Sequence, residues 1–144
     1  MKTKNILFVC KHNMFRSKIA DAYFRKINKN KKIKVSSAGI IKGFYPLNKN
    51  EVELAKEMGI NMVGNPRGLS IELVKKQNLI VIVADDVPRE IFDRKEYINF
   101  KTTKIVEWKV QDEPYADNFV KMKKIIKIIM KKVEELNQEL EREK

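Results

Sequence analysis

Two stretches of the chain are wholly apolar and too short to be helices. Residues 6–9 (ILFV) and 79–84 (LIVIVA) are rich in β-branched side chains and bounded by polar ones, which predicts strands buried on both faces of a sheet. Residues 33–39 open with Ile33 and Val35 and finish on Ser36, Ser37, Ala38 and Gly39, a strand whose last positions are small. Residues 104–106 predict an edge strand and 108–116 a loop. Between the strands the period changes. Ala20, Tyr23, Phe24 and Ile27 fall at i, i+3, i+4 and i+7 behind Ser17 as N-cap, and a polar turn at 28–32 follows. Asn48 with Glu51 has the form of a capping box and Gly59 that of a C-cap, so 48–58 is a helix. Gly64, Pro66 and Gly68 make 61–69 a loop, Ser70 caps a short helix to Lys76, and Pro88 sits in the first turn of another reaching about Phe92.

From Asp117 the chain predicts one long helix. Phe119, Met122, Ile126, Ile129, Val133, Leu136 and Leu140 alternate spacings of three and four, a seam that fits packing of the first half on the sheet or a dimerising coiled coil. After Val133 come five glutamates and few apolar residues, so 134–144 is expected to project as a helical tail. Strands and helices alternating in this order predict an α/β fold: a doubly wound, mostly parallel four-stranded sheet with helices on both faces and a long C-terminal helix. No repeat or linker divides the 144 residues, which read as a single domain.

Composition narrows the function. The net charge of +12, from 31 Lys and Arg against 19 Asp and Glu, favours anionic partners. Much of it reads as solvated lysine surface, as over 26–34, and the aromatics do not interleave with the basic runs, so no nucleic-acid partner is expected. One cysteine excludes an internal disulfide and makes a cysteine metal cluster implausible, and one histidine leaves zinc too few ligands. No apolar run approaches the roughly 18 residues of a membrane span, and no signal peptide is legible. A soluble, cytoplasmic protein without metal or cofactor is expected.

The chemistry concentrates where the first apolar run ends. Cys10 closes the strand, and Arg16 and Ser17 open the following helix. A loop feeding a helix N-terminus points free backbone N–H groups inward and adds the positive end of the helix dipole, a cradle for a tetrahedral oxyanion. Arg16 adds a bidentate fork for two of its oxygens. The same positive field favours the Cys10 thiolate, so one loop supplies both a nucleophile and the receptor for the group it attacks.

Cys10, five residues, Arg16 and Ser17, directly after a hydrophobic strand, resemble the C-x5-R-S loop of the low-molecular-weight protein tyrosine phosphatases and of their sister branch, the arsenate reductases of the same fold. VSSAG at 35–39, the helix through Asn48, Glu57, Gly59 and Ile60, and 69–83 resemble that family's second strand, next helix and approach to the third strand. Trp108 to Tyr115 resembles its acid loop, normally a tryptophan followed shortly by Asp-Pro. The resemblance implies Cys10 as nucleophile and Lys11, His12, Asn13, Met14, Phe15 and Arg16 as the phosphate-binding loop. It further implies Ser17 as hydrogen-bond donor to the thiolate, Asn13 as the brace of the loop, Asp112 as general acid and Tyr115 at the substrate mouth. The implied partner is a phosphorylated protein or a small phosphate monoester, or else arsenate.

Several positions depart from the pattern. Glu113 separates Asp112 from Pro114 and is the fallback acid if the loop is shifted by one. Asp85 and Asp86, at the end of the other apolar strand, are rival acids or a cap for the helix after Pro88. His12 replaces a glycine usual in the phosphatases, reads as a loop residue at an unusual backbone angle, and with Asn13 leans toward the arsenate reductases. Leu47, Asn48 and 67–74 lean the same way. Reduction through an internal disulfide relay needs further cysteines, which the chain lacks, so a reductase would use an external thiol. Phe15 stands where many of the phosphatases carry a second, protective cysteine, leaving Cys10 open to over-oxidation. A non-catalytic oxyanion- or phosphoprotein-binding module is the third reading.

Overall fold

The computed structural model describes residues 3–94, 96–97, 103–115 and 117–143. In chain order it contains β1 (Asn5–Cys10), α1 (Arg16–Ile27), β2 (Lys34–Gly39), α2 (Lys49–Glu57), α3 (Ile71–Lys75), β3 (Leu79–Ala84), a 3-10 turn (Arg89–Phe92), β4 (Lys104–Val110) and α4 (Phe119–Glu141). The four strands form one sheet in the order β2-β1-β3-β4, with every pair parallel. The two wholly apolar runs are the two central strands, as their composition requires.

Alternation splits the core into two layers. Ile6 and Phe8 of β1 with Val81 and Val83 of β3 face one side, where Phe24 of α1 and Ile126 and Ile129 of α4 cover them. Leu7, Val9, Ile80 and Ile82 face the other, under Leu73 and Val74 of α3 and Phe92. Each such side chain taken from water stabilises the fold by roughly 1.5–3 kcal/mol. Helices therefore lie on both faces, as expected. The expected caps at Asn48 and Ser70 form, their side chains accepting from Glu51 N and Leu73 N at 3.1 Å each. Gly59, at φ 80°, closes the end of α2 in a conformation a side chain would strain.

Three local expectations are corrected. Ser17 does not cap α1; the helix begins two residues earlier, behind Phe15, because the Ser17 hydroxyl is drawn to other partners described below. Pro88 precedes a 3-10 turn as its N-cap rather than entering a helix. The fourth strand runs to Val110 instead of 106, since Trp108 packs its ring on Phe8 with centroids 5.7 Å apart and so belongs to the core. A bulge follows at once: Lys109 takes φ 53° where the pairing with β3 shifts register. Ala116, the last residue of the expected loop, lies outside the described residues.

The seam of α4 turns inward. Met122, Ile126, Ile129, Val133 and Leu136 are buried against the sheet and α1, while Phe119 remains half-exposed. The helix does not leave the body after Val133: Leu140 packs on the core, Glu134 bonds the Tyr23 hydroxyl, and Thr3 N donates to Glu143 at 2.8 Å. Apolar residues at 136 and 140 keep the interior face continuous, and the glutamates occupy the other faces. Among the described residues no helix is long and apolar enough to cross a membrane.

Candidate active site

The carboxyl end of β1 sets the site. Cys10 pairs with Gly39 across the β1–β2 edge, and the loop beyond it rests directly on that glycine: a Cβ there would lie 2.6 Å from the His12 carbonyl carbon and 2.8 Å from Asn13 N. Only a residue without a side chain allows this approach. The segment after β2 continues over the loop, Ile40 N and Ile41 N donating to the carbonyls of Cys10 and Lys11 at 3.1 and 2.9 Å.

Asn13 holds the loop from inside. It is fully buried at φ 57°, a left-handed conformation that asparagine tolerates better than most residues. This is the unusual backbone angle expected of His12; the structure assigns it to the next residue. The Asn13 side chain accepts from Arg67 N at 2.9 Å and donates through Nδ2 to Ser17 Oγ at 2.8 Å. Since Arg67 N can only donate, the carbonyl end must face it and the amide end Ser17. Ser17 Oγ thus accepts a hydrogen bond from Asn13 and turns its own proton toward Cys10 Sγ, 2.9 Å away. Asn13 N adds a second donor to the sulfur at 3.2 Å. Both donors suit a sulfur anion. Lys18, next in the chain, is buried and donates to the Val63 carbonyl at 3.1 Å; burial lowers its pKa, opposed by Asp21 and Cys10.

Arg16 ties this loop to the ends of two other strands. Its Nη1 donates to the Val110 carbonyl at 2.9 Å and reaches Asp85 at 3.4 Å, and its Nη2 donates to Asp86 at 3.0 Å. Asp112 stands 3.9 Å from the same nitrogen. The two aspartates therefore neither cap the turn after Pro88, which has no side-chain cap, nor stand apart as acids. They partner a guanidinium 69 and 70 residues away in sequence, beyond the reach of local pattern.

The two candidate acids separate cleanly. The Glu113 carboxylate is buried, accepting from Tyr115 N at 3.1 Å and Asn118 Nδ2 at 3.3 Å, with the Lys121 ammonium 3.8 Å away. It fastens the loop to the start of α4. Asp112, half-exposed, is the one beside Arg16. Of the remaining loop residues, Lys11 is exposed, His12 and Met14 are half-buried, and Phe15 is sunk in the core. Tyr115 is exposed, close in sequence to Asp112. Among the described residues no group of three or more His, Cys, Asp or Glu side chains is placed to hold a metal ion.

In the sequence, Glu51 has the form of a capping-box residue and nothing more. Burial, with the nearby Asp112 carboxylate adding to it, pushes its pKa up to about 7. A carboxyl whose folded pKa is raised contributes stability fully present below its unfolded value near 4.5 and lost as pH rises through about 7. Glu51→Gln is therefore expected to melt with the wild type at pH 4.5 and a few degrees above it at pH 8, as thermal melts at the two pH values would show.

The family model described as low molecular weight phosphotyrosine protein phosphatase matches residues 5–144. No curated protein sequence matches the chain. Among solved structures, a low molecular weight protein tyrosine phosphatase from T. tengcongensis is 24% identical, with 94% of this chain and 98% of that one covered and a TM-score of 0.78. An arginine phosphatase from Geobacillus stearothermophilus is 18% identical, with 96% and 94% covered and a TM-score of 0.81. A thioredoxin-dependent arsenate reductase from Corynebacterium glutamicum is 20% identical, with a TM-score of 0.74; 99% of this chain is covered but only 64% of that one. At these identities the likeness to solved structures is one of fold.

Proposed function

The chain belongs to the low molecular weight phosphotyrosine protein phosphatase family, and on that premise we propose that it hydrolyses phosphotyrosine or small aryl phosphate monoesters through a phosphocysteine, in the cytoplasm and without metal or cofactor. The observation that carries the reading is the sulfur of Cys10, met by the Ser17 hydroxyl and the Asn13 amide in a loop whose far end is Arg16.

In the first step the Cys10 sulfur forms a bond to phosphorus as the ester oxygen leaves with the bonding pair, and Asp112 gives that oxygen its proton. In the second, the Asp112 carboxylate takes a proton from water, whose oxygen bonds to phosphorus. The sulfur then departs with its pair, eased by the Ser17 hydroxyl. Arg16 and the amides of residues 11–16 stabilise the equatorial oxygens in both steps. Tyr115 borders the aryl group.

Steady-state hydrolysis of phenyl phosphate and p-nitrophenyl phosphate against pH, in chelator, tests this. Wild type should turn over both. Asp112→Asn should lose about 10²- to 10⁴-fold on phenyl phosphate and less on p-nitrophenyl phosphate, whose leaving group scarcely needs a proton. Equal losses on both would remove Asp112 from the first step. An inactive wild type that consumes arsenate with an external thiol would favour the single-cysteine reductase; arsenate reduction, there thioredoxin-dependent, is the activity named for the Corynebacterium structure. Phosphate binding without turnover would leave an oxyanion-binding module.

A further inference from the structure

Beside the acid loop, β4 and α4 enclose a trough of about 510 Å³. Asp112 lines one end of it, so trough and candidate site share a residue. Its walls are basic. Lys124, Ile128 and Lys132 recur at four-residue intervals and so form one stripe along α4, and Lys109 faces them from the bulge at the end of β4. Among the described residues, three acidic groups near this end of the sheet have cationic partners: Asp112 beside Arg16, Glu113 beside Lys121, Glu107 beside Arg89. Lys109, Lys124 and Lys132 form no ion pair there. Lys109 also holds φ 53°, a costly conformation for a lysine. Ile128 is 47% exposed between its two lysines.

Like charges gathered along a groove disfavour one another until an anion lies among them. We propose that this trough docks an acidic segment of a phosphoprotein substrate, close in sequence to the phosphorylated residue and carrying an apolar side chain for Ile128. The proposal rests on the hydrolytic reading above. From Lys121 to Lys132 the helix advances roughly 16 Å, the span of about five extended residues. Nucleic acid fits less well, because the one aromatic ring in the trough, Trp108, is packed on Phe8 and offers no stacking platform. The acidic end of a second copy fits less well too, since two of its five glutamates, Glu134 and Glu143, are bonded to Tyr23 and Thr3 of their own chain.

The test uses two phosphotyrosine peptides, one with glutamates and a leucine flanking the phosphotyrosine, the other with glutamines in place of the glutamates. Wild type should favour the acidic peptide about tenfold in kcat/KM, through KM, and the preference should fade at about 0.5 M salt. The Lys124→Glu, Lys132→Glu double variant should lose the preference and keep its p-nitrophenyl phosphate kcat/KM within about twofold. Titration of a fluorescent acidic peptide into both proteins needs no turnover and should show about tenfold weaker binding to the variant. Equal KM values for both peptides, or a preference surviving in the variant, would overturn the docking site while leaving hydrolysis intact. Absent p-nitrophenyl phosphate turnover would instead overturn the hydrolytic reading, and the titration would still decide the docking. A dimer dispersed by the acidic peptide, or tighter binding of a single-stranded oligonucleotide, would assign the trough to those occupants and overturn the proposal.

Discussion

Cys10→Ser is expected to abolish hydrolysis of p-nitrophenyl phosphate, a fall on the order of 10⁴-fold or more, with little change in melting temperature. The side chain is 3% exposed, and its sulfur accepts from Ser17 and Asn13. A serine hydroxyl keeps the size class and can bond to both partners, so the loop and its approach to Gly39 persist. What it lacks is an accessible anion: two hydrogen bonds and a helix terminus are far too little to ionise an alcohol near neutral pH, and no side chain in the described loop stands by as a base for it. The variant should still bind inorganic phosphate, which isothermal titration would read. Turnover persisting in Cys10→Ser would place the reaction elsewhere.

Arg16→Lys is expected to lose about 10²- to 10⁴-fold in kcat/KM and, unlike Cys10→Ser, to lower the melting temperature as well. The guanidinium is 4% exposed and serves the Val110 carbonyl, Asp85 and Asp86 with its two terminal nitrogens. An ammonium is a single point and cannot reproduce that fork, nor meet two oxygens of a phosphoryl group side by side. Breaking a buried pair costs about 3–5 kcal/mol, but the aspartates are 35–40% exposed, so water screens them and the lower end or less applies. Measuring phosphate affinity alongside melting separates the two losses: a variant destabilised yet unaltered in kcat/KM would make Arg16 a strut between strands and nothing more.

The difference between those variants marks the boundary of what the sequence discloses. Cys10 and Arg16 are recognisable because the chemistry they share lies within seven residues, flanked by a strand and a helix whose periods are local. The caps at Asn48 and Ser70 are legible for the same reason, each being a contact over three residues. Ser17 misled because a serine before an apolar period reads as a cap, and nothing nearby reveals that Asn13 and Cys10 compete for its hydroxyl. Trp108 misled because residues 108–116 carry turn-forming chemistry, while the ring that draws it into a strand belongs to Phe8, a hundred positions earlier.

By itself, then, the sequence determined the elements, their alternation, the two central strands and the loop that ends the first of them, since each depends on side-chain spacing within one helix turn or one strand. Only the tertiary structure decided that Asp85 and Asp86 belong to Arg16, that Glu113 is turned inward while Asp112 faces the guanidinium, and that the C-terminal helix stays on the body to its last turns. Those outcomes are set by charges and apolar faces brought together from distant segments. Which carboxylate is desolvated, and which remains in water beside a cation, is settled by packing that no local window contains.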